Sequence, residues 1–272
     1  MIERLWLIPV GFIVGTYGTL VGAGGGFVLV PMLLLLYPQE SPEVITSISL
    51  AVVFFNALSG SVAYTRMKRV DFRSGILFAV ATIPGAILGA MTTLIIPRPL
   101  FDVLLGVLMI VGSLFLIFHR HNKAGGKQSE MPGCLVRNLV ETNGTEHTFS
   151  YSPSAGIGLS LVVGYISSLF GIGGGIIHVP ALVHLLNFPV RIATATSQFI
   201  LAIMALTGTG VHVFAGDFHH GIRRTIALAI GVLIGAQLGA RLSNRIGGVW
   251  IIRGLAIALG FVGIRILILA YG

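Results

Sequence analysis

The chain has 272 residues, 55% hydrophobic and 10% charged, with a formal net charge of +8 and one cysteine. Soluble domains average about one quarter charged residues, so this composition excludes an ordinary soluble fold and points to an integral membrane protein. The basic surplus falls mostly between apolar runs, where it reads as membrane topology and not as a nucleic-acid surface; Cys134 alone excludes an internal disulfide and a cysteine metal cluster.

Apolar stretches of about 20 residues recur, each long enough to cross a bilayer as a helix. The first segment runs from Leu5 to Tyr37 and is interrupted by Gly22-Ala23-Gly24-Gly25-Gly26, with Pro31 five residues on. No small-residue cleavage site closes a short apolar region, so it reads as a retained helix. A second run covers Val44 to Tyr64, and Asp71 is positioned to N-cap a third that reaches Ile96. Pro97 and Pro99 precede a fourth run ending near Phe118. Residues 119–152 form a polar connector that looks soluble, with a hairpin signal at Asn143-Gly144.

From Pro153 the pattern returns. A broken segment contains Gly171-Ile172-Gly173-Gly174-Gly175 with Pro180 at the same spacing, and runs at 190–215, 219–242 and 250–271 follow. Arg69-Val70-Asp71-Phe72 is echoed by Ala215-Gly216-Asp217-Phe218, and Gly85/Gly89 by Gly235/Gly239. The expected fold is an all-α polytopic membrane protein: a duplicated four-segment repeat with glycine-broken helices, residues 1–118 and 153–272 being the two transmembrane repeats. Lys and Arg divide between the two faces equally unevenly whether the repeats are parallel or inverted, so charge does not choose. Inversion is preferred by analogy with transporters whose broken helices meet at the midplane.

Glycine costs roughly 1 kcal/mol against alanine inside a helix, and broken backbone at membrane depth survives only when enclosed by protein or facing a wet cavity. The two glycine clusters are therefore the candidate substrate site. The helix N-termini that follow them offer unpaired N–H groups and partial positive charge, which suits an anion. No acidic residue falls near the middle of an apolar run, which argues against a cationic substrate. Ser49 and Asn56 in the first half, with Ser197 and Gln198 in the second, are candidate secondary contacts, and His178 lies within one turn of the second glycine run. A coupling ion, H⁺ or Na⁺, and a homodimer remain open as partners alongside the small anionic substrate and the lipid bilayer. No cofactor or metal is expected.

With Gly-Ala-Gly-Gly-Gly then Val30-Pro31, Gly-Ile-Gly-Gly-Gly then Val179-Pro180, and Ala195-Thr196-Ser197-Gln198, the chain resembles the sulfite exporter TauE/SafE family across both halves. The resemblance implies a multi-pass permease of the bacterial plasma (inner) membrane that moves sulfite, organosulfonates or related small organic anions by secondary transport. It carries site residues over at Gly22, Gly24, Gly25, Gly26, Pro31, Gly171, Gly173, Gly174, Gly175, Pro180 and the Thr-Ser-Gln element. The first half has Ile48-Ser49-Leu50 there, so an asymmetric site is expected. The resulting expectation is an alternating-access anion transporter, with a carboxylate carrier or an anion channel as alternatives. A membrane enzyme is disfavoured: no catalytic set is apparent, and the glycine clusters miss a nucleotide fingerprint at Phe27 and Ile176.

Overall fold

The computed structural model describes residues 5–118, 134–216, 218–243 and 248–271. Ten helices and one hairpin follow in the order α1 (Leu7–Val21), α2 (Gly26–Leu36), α3 (Pro42–Arg66), α4 (Phe72–Thr93), α5 (Arg98–Phe118), β1 (Leu135–Val140), β2 (Glu146–Tyr151), α6 (Pro153–Phe170), α7 (Gly175–His184), α8 (Val190–Ala215), α9 (Phe218–Leu242) and α10 (Gly248–Tyr271). Five of the described helices are long and apolar enough to cross a bilayer. The chain is thus an all-α membrane protein with a small β-hairpin.

Small residues set the helix contacts. Gly11 abuts Leu228 and Gly15 abuts Val232, while Gly235 and Gly239 press against the backbone of Phe12 and Thr16. The register advances together, so α1 and α9 run parallel. In the same way Gly85 meets Leu161 and Tyr165, and Gly89 meets Tyr165 and Leu169, which makes α4 parallel to α6. Without a Cβ, two backbones approach closely enough for dispersion to hold them in lipid, where no hydrophobic force drives association.

The central pair is α3 and α8. Ile48 lies at Gly221 and Ser59 Oγ donates to the Leu233 carbonyl at 2.8 Å, so α3 parallels α9. Leu50 lies at Gly208 but Gly60 at Gln198, so α3 and α8 are antiparallel. Asp71 N–H donates to Thr196 Oγ1 at 3.1 Å and Gly75 lies at Phe199, so α4 parallels α8; α1, α3 and α9 thus run one way and α4, α6 and α8 the other. Because α1 and α3 share a direction with only α2 between them, α2 must turn back. Its start does so visibly, since a Cβ on Gly25 would sit 2.8 Å from Val14 Cγ1, alongside α1 rather than beyond its end. Between α6 and α8, which also share a direction, α7 turns back likewise.

The connector is not a free soluble appendage. Its hairpin pairs Leu135 with Tyr151 through to Val140 with Glu146, and it is docked on the membrane domain. Phe149 stacks on Phe188 with centroids 4.4 Å apart, and Tyr151 reaches Phe78 and Phe188. Arg69 Nε donates to Glu141 at 2.7 Å, and Thr142 donates to the Met67 and Arg66 carbonyls. Asp71 occupies the N-cap position of α4 but makes no side-chain cap. Its carboxylate instead accepts from Ser74 at 2.5 Å and from Arg137 on β1 at 2.8 and 3.2 Å, because a guanidinium fork outcompetes a lone backbone amide. Composition identified the connector as polar, but its Phe and Tyr are the residues that anchor it.

Arg66, Lys68, Arg69, Arg73, Arg137, Arg191 and Arg241 lie toward the hairpin end of the bundle. At the other end Arg224 pairs with Glu40 at 2.8 Å and covers the Tyr37 ring, and Arg98 donates to the Glu40 carbonyl.

Candidate functional site

Helix α1 stops because Gly22 takes φ 82°, with its N–H returning to the Gly18 and Thr19 carbonyls. That left-handed cap is glycine's ordinary role at a helix end. Gly24 and Gly25 follow at φ 72° and 83°, and Gly171, Gly173 and Gly174 repeat the pattern at 66°, 74° and 39°. An L side chain is strained in this region. The short helices α2 and α7 then start at Gly26 and Gly175, one residue earlier than expected in each half.

The two bends touch through backbone alone. A Cβ on Gly26 would lie 2.7 Å from the Ile172 carbonyl carbon, and one on Gly175 would lie 2.5 Å from Ala23 Cα. Residues 22–26 and 171–175 are all buried, so the bends are closed from solvent in this conformation.

Hydroxyls from the central helices brace the bends crosswise. Ser49 Oγ donates to the Gly171 carbonyl at 2.6 Å, and Ser197 Oγ donates to the Gly22 carbonyl at 3.1 Å. These serines therefore engage orphan carbonyls at helix C-termini rather than standing free as donors. Thr194 lies against Gly22 and Thr46 against Gly171, so the serine-threonine contacts match on the two sides. Asymmetry enters one position later: Gln198 Nε2 donates to the Gly18 carbonyl at 3.2 Å, whereas Leu50 packs at Gly208.

Asn56 Oδ1 accepts from Thr19 Oγ1 at 3.1 Å, and Tyr64 donates to the Thr19 carbonyl at 2.9 Å. Asn56 Nδ2, Gln198 Oε1, Thr46 Oγ1 and Ser167 Oγ are buried without a protein partner among the described residues. Buried polar atoms are nearly always paired, so this cluster around the bends has polar capacity left for a ligand; Ser61, Ser168 and Thr209 hydroxyls elsewhere on α3, α6 and α8 are likewise unpartnered. Three of the four carry N–H or O–H donors.

Pro31 and Pro180 are buried inside α2 and α7. Lacking an N–H, each leaves the carbonyl four residues earlier, at Phe27 and Ile176, without its helical donor. His178 is buried on α7 and pairs with Ser160 of α6 at 3.2 Å. Sequence reasoning missed Thr19, Thr46, Tyr64 and Ser167. A signal existed for two of them: Thr19 stands three residues before Gly22 as Ser168 does before Gly171, and Thr46 precedes Ser49 by the spacing of Thr194 to Ser197.

A family model described as Sulfite exporter TauE/SafE matches residues 7–266. The chain belongs to the TauE/SafE family. Among curated proteins it is 37% identical to a probable membrane transporter protein, YunE, of Bacillus subtilis over 216 residues, covering 77% of this chain and 78% of that one. It is 24% identical to a probable membrane transporter protein of Methanocaldococcus jannaschii, covering 74% and 69%, and 26% identical to one of Xylella fastidiosa with the same coverage. No solved structure matches. Family and relatives alike make this TauE/SafE chain a multi-pass membrane transporter.

The crosswise serines are directly testable in this TauE/SafE protein. Ser49→Ala and Ser197→Ala each remove a buried bond worth about 1 kcal/mol and leave a glycine carbonyl unpaired. Each lowers the thermal midpoint of the purified protein, and Ser→Thr at either position restores part of it. Because both bonds hold the same pair of bends, the double variant loses less than the sum of the singles. Strict additivity would show that the bends behave as separate units.

Proposed function

We propose that this protein is a secondary transporter, working as an exporter, of small oxyanions such as sulfite or organosulfonates, in the plasma membrane of a bacterium. The observation that carries the reading is the meeting of two re-entrant glycine bends amid buried, donor-rich polar atoms that have no protein partner. The N-termini of α2 and α7 add main-chain donors and the positive ends of two helix dipoles at the same place. An oxyanion would be held by amides and hydroxyls without a fixed cation to trap it.

The halves are proposed to be inverted repeats. Opposite running directions of α1 and α6, and of α3 and α8, support this, since an inverted pair gives two equivalent ways of packing one repeat against the other and hence alternating access. The excess of Lys and Arg at the hairpin end supports a cytoplasmic location for that end, by the positive-inside bias.

Reconstituted protein should move sulfite across liposomes with saturation, in competition with organosulfonates, and with dependence on an imposed H⁺ or Na⁺ gradient. Flux of carboxylates alone would reassign the substrate class. Unsaturable conductance would indicate a channel, and no flux of any of these anions by correctly inserted protein would overturn the reading.

A further inference from the structure

At the hairpin end, the terminus of α3, the start of α8 and the hairpin turn border an open cavity of about 400 Å³ whose lining includes Arg66 and Arg191, both exposed, and Arg69, Glu141 and Asn143. Its lining carries three arginines and one carboxylate. That carboxylate is already engaged twice, by Arg69 Nε at 2.7 Å and by His147 Nε2 at 2.8 Å. Arg69 is itself buried and also reaches Ser243 of α9 at 3.3 Å. Arg66 and Arg191 line the same space and make no ion pair among the described residues. Arg191 also lies in the first turn of α8, where the helix dipole disfavours a cation. The cavity has an excess of positive charge that its own residues leave uncompensated.

Its position relates it to the bends. Asn56 lies ten residues down α3 from Arg66, about 15 Å away, and Gln198 lies seven down α8 from Arg191, about 10 Å away. Between them sits a closed layer of Ala63, Tyr64, Val70 and Ala195. The cavity also opens at the end of a central helix, since α3 is 83% buried over its most apolar window. This placement favours an anion arriving from solution over a lipid headgroup from the perimeter.

We propose that this cavity is an anion-binding vestibule, in which Arg66 and Arg191 capture a small oxyanion that competes with Glu141 for Arg69. Glu141 is an internal stand-in for the substrate: it holds the guanidinium, and with it the hairpin, until an external anion takes its place. The inference rests on the reading of the protein as an anion transporter.

The test uses full-length protein in nanodiscs of phosphatidylcholine, titrated with sulfite by calorimetry. Arg66→Gln/Arg191→Gln should weaken sulfite binding by about tenfold or more, the loss of charge-assisted contacts, and flatten its salt dependence. Glu141→Gln should act in the opposite direction, tightening binding about threefold by removing the competitor. Two variants of opposite sign cannot both be explained by misfolding. Wild-type affinity in the double variant, or weakening by Glu141→Gln, overturns the proposal. So does loss of sulfite binding when phosphatidylglycerol is added to the discs, which would assign the cavity to a lipid phosphate. If arginine-dependent binding is present but liposomes show no flux, the vestibule stands and the transport reading falls. If flux is present and the double variant binds as wild type does, the reverse holds.

Discussion

Gly175→Ala is expected to abolish transport and to destabilise the protein by about 3 kcal/mol or more, the upper range for overpacking a closed interior. The reason is the identity of the neighbours. The added methyl would lie 2.5 Å from Ala23 Cα and 2.8 Å from the Gly22 carbonyl carbon, and backbone atoms have no rotamer into which they can retreat. Relief requires separating the two bends, which also pulls Ser197 from the Gly22 carbonyl and Ser49 from the Gly171 carbonyl. Gly26→Ala, opposed by Ile172 backbone, should behave alike. Gly158→Ala in α6, where nothing lies within 4 Å of the new methyl, is the control and should be neutral or slightly stabilising, since alanine restricts the unfolded chain. Thermal unfolding and sulfite flux on the same preparations decide the matter. A native midpoint and native flux in Gly175→Ala would mean that the bends do not interlock in the working protein.

How far the sequence made this site legible depends on the range of the interaction. The helices were readable because an apolar run of this length has only one way to satisfy its backbone in lipid. The breaks at Gly22–Gly26 and Gly171–Gly175 were readable because glycines clustered at membrane depth contradict helix propensity, whereas the echo of Gly85/Gly89 by Gly235/Gly239 shows its meaning only in the close backbone contacts those glycines make. The reversal of α2 and α7 was not readable from charge, because Arg191, Arg241 and Arg245 exchange faces with Arg4, Arg223 and Arg224 between the two arrangements. It rests on pairwise contacts such as Gly25 with Val14. The roles of Ser49 and Ser197 were also hidden. Their types and positions suggested donors, but their acceptors are carbonyls more than a hundred residues away. Docking of the hairpin was missed for the same reason: Phe149 and Tyr151 alternate plausibly in a free strand, and their partners Phe78 and Phe188 come from elsewhere in the chain.

The second large effect is expected at Arg69, where replacement by alanine should destabilise hairpin docking by about 3–5 kcal/mol, the range for stranding one member of a buried ion pair. A lone two-stranded hairpin is marginal in water, so β1 and β2 depend on their contacts with α3, α4 and the loop before α8. Burial pushes the Glu141 carboxyl up, but hydrogen bonds from Arg69 and His147 outweigh it and hold the group below the ordinary carboxylate range. A carboxyl lowered in the folded state stabilises it above the unfolded value of about 4.3, and that contribution is lost as pH falls through the folded value. Without Arg69 the sign reverses. Burial then dominates, Glu141 opposes docking at neutral pH, and acidification relieves it. Amide exchange across Val140 and Glu146 should therefore slow in Arg69→Ala as pH falls toward 5, after correction for intrinsic rates, whereas the wild type stays level over that interval. Arg69→Met/Glu141→Leu should recover most of the loss, since an apolar pair of similar volume often matches a buried ion pair. If Arg69→Ala exchanges like the wild type, the aromatic cluster alone holds the hairpin. Glu141 would then have no leverage over the cavity beneath it, because displacing a carboxylate can release the hairpin only if the carboxylate was restraining it.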